Sequence, residues 1–253
     1  MINMSSSKTA ARMEDVSKSF GAVKAVQDVT AEFLYGEVTG LLGDNAAGKS
    51  TLMKVLSGVY VPDKGNIYVD DRKVNIKSPL DARRLGIEMI YQDLALVPYL
   101  DVPSNIFLGR ETVSTFGSLD KKGMKRQTKG ILDKLGYQFD EDMLRREASY
   151  FSGGQQQAIA IARSFLFKPK ILILDEPTAS LGVKGRDILH RFMEEFKREE
   201  SCMVYISHRL PDVFSIADKI MIMRRGRIVE VKRTQETSMD RAIRVMIGVE
   251  EPD

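Results

Sequence analysis

Tryptophan is absent from this 253-residue chain, cysteine occurs once, at Cys202, and histidine twice, at His190 and His208. One cysteine leaves neither an internal disulfide nor a cysteine cluster for a metal, and it fits a reducing, cytosolic compartment. An excess of one charge is missing too, with 38 Lys+Arg against 35 Asp+Glu and a formal net charge of +3. That balance is not the footprint of a nucleic-acid binder, and no nucleic-acid partner is expected. No apolar run approaches the ~18–20 residues that a membrane span requires, and the first ten residues contain no hydrophobic stretch resembling a signal peptide. The chain is therefore expected neither to cross a bilayer nor to be exported, so any role at a membrane comes through another subunit. What is present, 43% hydrophobic and 29% charged residues, suffices for one large or two small packed domains.

Short apolar runs alternate with amphipathic stretches. Val38–Leu42, Asn66–Val69, Ile171–Leu174, Ser201–Ile206 and Lys219–Met223 read as strands, several of them apolar enough to be buried on both faces of a mainly parallel sheet. Helical patterns fall between them, at Lys49–Leu56, after the Ser78-Pro79 start, and at Arg186–Lys197. This rhythm argues for α/β layering. It lapses between Asp93 and Tyr150, where helical patterns such as Lys121–Leu135 occur without a strand pair, so that segment is expected to be a helical subdomain inserted in the α/β core. Arg224-Arg225-Gly226-Arg227 reads as a hairpin turn.

Gly43-Asp44-Asn45-Ala46-Ala47-Gly48-Lys49-Ser50 satisfies G-x-x-x-x-G-K-[ST] directly after one expected strand and directly before one expected helix. Phosphate oxygens need several donors at close range. A glycine-containing turn lets backbone N–H groups converge on them while the helix N-terminus adds its positive dipole end. Lys49 would neutralise the β- and γ-phosphates of a nucleotide, and the Ser50 hydroxyl would ligate Mg²⁺.

The strand from Ile171 runs into Asp175-Glu176 at the carboxyl edge of the sheet, where open α/β folds bind ligands. Asp175 suits the Mg²⁺ shell, and Glu176 suits the polarisation of water for in-line attack on the γ-phosphate. A second glycine-containing helix start, Phe151-Ser152-Gly153-Gly154-Gln155, has Ser152 as a sound N-cap and leaves the backbone open to an anion.

Taken together in this order, these motifs resemble the ATP-binding cassette family of transporter ATPases, from about Ala11 to Ile247. The resemblance implies a P-loop NTPase (RecA-like) α/β core with a mainly parallel sheet, an antiparallel β region and an inserted helical subdomain, here residues 93–157 of a single cassette spanning 8–253. It implies that Phe20 stacks on adenine, that Gly43 through Thr51 wrap the phosphates, and that Gln92 touches Mg²⁺ or the attacking water. It further implies a signature motif at Phe151–Gln155, a D-loop at Ala179–Gly182, and a switch histidine, His208, on the γ-phosphate. His190 keeps an ordinary structural reading. In this family the phosphate loop of one cassette faces the Ser152-Gly153-Gly154-Gln155 equivalent of another, so a homodimer closing over two ATP is implied. Transmembrane permease subunits, an extracytoplasmic solute-binding protein and a cytoplasmic place on the inner face of the membrane are implied with it.

Gln92–Pro98, Asn105–Glu111 and Glu176–Gly182 are similar to the monosaccharide-uptake branch of importers, with ribose- or fructose-like sugars as the expected cargo and nucleosides as the alternative. A soluble cassette protein acting on nucleic acid or the ribosome is the competing class, for which Lys121, Lys122, Lys125, Arg126 and Lys129 would offer a basic face. Three residues depart from the family pattern. Ala46 replaces a glycine, and at positive φ its Cβ would cost about 1 kcal/mol, with weaker nucleotide binding the expected consequence. Phe151 replaces a leucine, a packing change, and Gly182 replaces an aspartate at the end of the D-loop.

Overall fold

The computed structural model describes residues 8–91, 94–114, 117–178, 183–198 and 200–250. They fall into two compact units: Met1–Met89 with Pro169–Glu176 and Met193–Asp253, and Ile90–Lys168 with Pro177–Phe192. Gln92, Asp93 and the stretch 179–182, where the D-loop is expected, lie outside the described residues.

The first unit holds most of the sheet structure. Strands β3 (Val38–Leu42), β7 (Ile171–Asp175) and β8 (Cys202–Ile206) are five-residue segments in which every residue is buried, as strands covered on both faces must be. With β6 (Ile87–Ile90), β9 (Lys219–Arg224) and β10 (Arg227–Arg233) they form a six-stranded sheet in the order β10-β9-β3-β8-β7-β6. Pairing is parallel for β3 with β8, β3 with β9 and β7 with β8, and antiparallel for β10 with β9. The expected α/β architecture with a mainly parallel sheet is therefore observed. At the amino-terminal ends of β3 and β9, the buried Glu37 carboxylate is paired with both Lys219 and Arg233, and Asp218 accepts from the Val38 N–H and from Lys197. A buried carboxylate needs such partners, because ionised groups out of water are costly when left alone.

A second sheet, β2-β1-β4-β5, is antiparallel and comprises β1 (Thr9–Phe20), β2 (Val23–Leu34), β4 (Lys64–Val69) and β5 (Arg72–Val74). The twelve-residue strands β1 and β2 were not among the strands expected from periodicity. Asp15 and Asp28 sit at positive φ and the β1–β2 register shifts four times, so the alternation that marks a strand is broken along its length. Helices α1 (Lys49–Leu56), α2 (Pro79–Arg84), α8 (Leu210–Ile216) and α9 (Met239–Ile247) also belong to this unit. The Ser78-Pro79 start of α2 is as expected, with Ser78 accepting from the Asp81 N–H.

The second unit is helical: α3 (Val102–Phe107), α4 (Lys121–Lys134), α5 (Glu141–Arg145), α6 (Gly153–Leu166) and the first part of α7 (Val183–Arg198). Asp101, Asp120 and Asp140 each cap a helix by accepting from the backbone N–H three residues on. Between residues 94 and 150 the described residues carry only two isolated β-bridges, Asp101 with Glu147 and Val113 with Leu119. The fully buried Asn105 accepts from the Val97 N–H and donates to the carbonyls of Val97, Leu100 and Asp101, which fixes the turn before α3. Among the described residues no helix is long and apolar enough to cross a membrane.

Candidate functional site

The carboxyl ends of β3 and β7 converge in the first unit. From β3 the chain turns through Gly43 to Gly48 and enters α1 at Lys49. Gly48 has φ 105, and a Cβ there would lie 2.3 Å from the Ala25 carbonyl oxygen, so no other residue fits. Because Gly48 supplies no side-chain cap, the first N–H groups of α1 remain available to a ligand. The loop is held from outside by distant segments: the Gly226 N–H donates to the Ala47 carbonyl at 2.9 Å, and the Gln27 N–H donates to the Gly226 carbonyl at 2.8 Å. Arg225 and Gly226, both at positive φ, form the two-residue loop of the β9–β10 hairpin, the turn expected from Arg224–Arg227. That this turn braces the phosphate loop was invisible in the sequence, since the partners are about 180 positions apart.

Ala46 has φ 67, so the condition under which its Cβ would be strained is met. The Lys49 ammonium donates to the Gly43 carbonyl at 2.7 Å and to the Asp44 carbonyl at 2.9 Å, turned into the loop it would share with phosphate. Burial lowers the Lys49 pKa from the ordinary lysine value, while Glu176, Asp175 and Asp44 oppose that shift.

The Ser50 hydroxyl donates to Asp175 Oδ1 at 3.2 Å. Asp175 closes β7, is buried, and has its pKa raised by desolvation despite the Ser50 bond and the nearby Lys54 and Lys49. A buried carboxylate and a hydroxyl side by side, short of compensating charge, are the hard oxygen donors that a divalent cation such as Mg²⁺ prefers. The donor set therefore fits the ion expected there.

Glu176 follows at φ 52, an uncommon conformation for a non-glycine residue and one often found at functional positions. Its N–H donates to the Ile206 carbonyl at 3.0 Å, extending the β7–β8 ladder by one step. Its side chain meets His208, with Glu176 Oε2 2.8 Å from His208 Nδ1. The two residues are 32 positions apart, and nothing in the local sequence of either signals the contact between them. Phe20, at the end of β1, is 43% exposed and stands edge-on to Tyr60, ring centroids 5.0 Å apart.

In the second unit, Ser152 caps α6 in a reciprocal box. The Gln155 N–H donates to Ser152 Oγ at 3.4 Å, and the Ser152 N–H donates to Gln155 Oε1 at 3.0 Å. Gly153 and Gly154 form the first turn of that helix. Phe151 is buried against Phe139 with ring centroids 5.1 Å apart, so its ring takes a packing place.

A protein-family profile described as "ABC transporter" matches residues 26–179. The xylose/arabinose import ATP-binding protein XylG of Sulfolobus acidocaldarius is 43% identical over 92% of this chain and 92% of its own length. The ribose import ATP-binding protein RbsA of Caldanaerobacter subterraneus subsp. tengcongensis is 42% identical over 94% of this chain and 48% of its own, so this chain spans about half the length of that relative. Among solved structures, an ATP-binding subunit of an ABC transporter superposes with a TM-score of 0.80 at 24% identity, covering 94% of this chain and all of that one. An ATP-binding cassette of an ABC transporter in its ADP conformation gives 0.74 at 25% identity, covering 94% of this chain and 95% of that one.

Proposed function

Because the chain belongs to the ABC transporter family, it is an ATP-binding, ATP-hydrolysing cassette, and we propose that it is the energy-coupling subunit of an importer for a simple sugar. The observation that carries the chemistry is the convergence of Lys49, Ser50, Asp175, Glu176 and His208 at the carboxyl ends of three parallel strands, β3, β7 and β8. The cargo class rests on the pentose importers' ATP-binding proteins, to which this chain is more than 40% identical.

In this reading the backbone N–H groups at the start of α1 receive the phosphates, and Lys49 exchanges the Gly43 and Asp44 carbonyls for β- and γ-phosphate oxygens. Gly43, Asp44, Asn45, Ala46, Ala47, Gly48 and Thr51 complete the cradle. Ser50 and Asp175 would hold Mg²⁺, with Gln92 expected from the sequence to touch the ion or the attacking water; the ion would supply neutralisation of phosphate charge. Glu176 accepts a proton from the attacking water. His208 keeps Nδ1 on Glu176 and offers its other ring nitrogen to the γ-phosphate. Phe20 carries the adenine.

Ser152, Gly153, Gly154 and Gln155 of a second copy close the site, which makes the working unit a homodimer over two ATP. Residues 93–157 act as the helical subdomain that transmits closure to a transmembrane permease. The cassette then lies on the cytoplasmic face of the membrane by attachment, with an extracytoplasmic binding protein delivering the sugar. Gentle extraction of the tagged chain from membranes tests this: a multi-span permease should co-purify, and ATP turnover of the complex should rise when its binding protein is supplied with a pentose. Stimulation by nucleosides alone would replace the sugar, and a chain recovered without a permease whose turnover answers to RNA would overturn the import reading.

A further inference from the structure

The end of β1 is reached through an irregular ladder, in which Ser19 pairs with Lys24 and Phe20 with Val23. Register shifts fall between Glu14 and Ser17 on the β4 side, and between Val16 and Lys18 and between Lys18 and Ser19 on the β2 side, just before Phe20. Shifts of this kind re-aim the side chains that follow them. Asp63, the residue before β4, ties this re-aimed segment down from the other side. Its Oδ2 accepts from the Ser19 N–H at 2.7 Å, its Oδ1 accepts from the Lys18 ammonium at 2.7 Å, and its own N–H donates to the Ser17 carbonyl at 2.8 Å. Three consecutive residues of β1 are thus tied to one side chain and its backbone.

The ring that follows is gripped from two sides. The Lys18 ammonium lies 5.7 Å from the Phe20 ring centroid, and Tyr60 meets Phe20 edge-on with an interplanar angle of 69°. Tyr60 in turn donates its N–H to the carbonyl of Lys54, a residue of α1, the helix that opens with the phosphate-binding lysine. The chain therefore builds a continuous path from the phosphate loop through Lys54 and Tyr60 to Phe20, and Asp63 closes it. We propose that Asp63 is a positioning residue for the nucleotide base, holding Lys18 and Ser19 so that the Phe20 ring presents a fixed stacking face. This rests on the reading of Phe20 as the adenine platform. The Asp63 carboxyl is held below the usual range by Lys18 and by the Ser19 N–H, so the ion is the working form near neutrality.

Stacking on an aromatic ring is worth on the order of tenfold or more in affinity, and a ring that must first be ordered returns less of it. The test measures dissociation constants of ADP and of inorganic pyrophosphate, both with Mg²⁺, for the wild type and for Asp63→Ala, Asp63→Asn, Lys18→Leu and Phe20→Ala. Asp63→Ala is expected to weaken ADP about five- to tenfold and leave pyrophosphate within twofold, with Asp63→Asn recovering most of the loss because its carbonyl still accepts from Ser19. Phe20→Ala should lose at least as much as Asp63→Ala, and combining the two should add little. Lys18→Leu, which loosens the same tie from the strand side, should fall between Asp63→Asn and Asp63→Ala. Equal weakening of ADP and pyrophosphate would show that Asp63 serves the fold alone. A loss with Phe20→Ala and none with Asp63→Ala would show that the ring stands without it. No loss with Phe20→Ala would remove the base platform itself.

Discussion

The chain has two glycine-containing helix starts suited to anions, and they are made ready by opposite means. The start of α1 has no side-chain cap; its geometry is imposed by contacts from far along the chain, the Gly226 turn and the Ala25 carbonyl, and its lysine is folded inward. The start of α6 is finished locally by the Ser152–Gln155 box, four residues that satisfy each other. An uncapped, externally braced end keeps its N–H groups for a ligand at all times. A self-capped end is stable alone, and its serine must leave Gln155 before it can serve a phosphate. Within the proposed function, the difference suits the first to primary nucleotide binding and the second to a conditional, closure-dependent role.

Glu176→Gln separates binding from chemistry at the first start. Turnover should fall by about 10²–10⁴-fold, the range for loss of a general base, while ATP affinity stays near wild type and a nucleotide-bound dimer accumulates on gel filtration. The glutamine keeps the shape of the side chain that meets His208. Turnover close to wild type would remove Glu176 as the base, and lost ATP affinity would mean that the first start does not bind on its own.

Ser152→Ala breaks the second start. Removing the cap should cost α6 about 1 kcal/mol, and losing a hydrogen bond to a charged phosphate should reduce turnover by roughly 10–100-fold. ATP affinity of the isolated single cassette should not change, because α1 carries it. If equilibrium titration with ATP shows the single cassette weakened as much as turnover is slowed, the division between the two helix starts is wrong.

Much of this contrast was legible before the structure. Ser152 caps α6 and Ser78 caps α2 because capping is local chemistry, readable within four residues. The runs Ile171–Leu174 and Val38–Leu42 read as strands, and they are buried strands, with Asp175 extending β7 by one residue. Boundaries moved little: Ser201 falls just outside β8, and α7 begins at Val183 rather than Arg186. What escaped was non-local. β1 and β2 disguise themselves with bulges, and the Glu176–His208 contact joins the ends of two strands. The tie between Asp63 and Ser19 spans 44 positions, and Asp63 stands in a Pro-Asp-Lys-Gly string that reads as a plain turn.

The smallest effect belongs to Ala46, and it probes how tightly the first start is braced. At φ 67 its Cβ carries a strain of about 1 kcal/mol that glycine would not. Relief helps binding only if the strained conformation is the one that nucleotide selects. In that case Ala46→Gly leaves ATP affinity equal or up to about fivefold tighter by calorimetry, the factor that ~1 kcal/mol allows. If instead the alanine holds the loop open by restricting the ligand-free chain, glycine would enlarge the number of states to be ordered, and affinity would drop. Gly226, itself held by the Gln27 N–H, braces the adjacent Ala47 carbonyl and already limits those states, which favours the first outcome. A clear loss of affinity would show that external bracing does not preorganise the loop, and the two helix starts would then differ less than their contacts suggest.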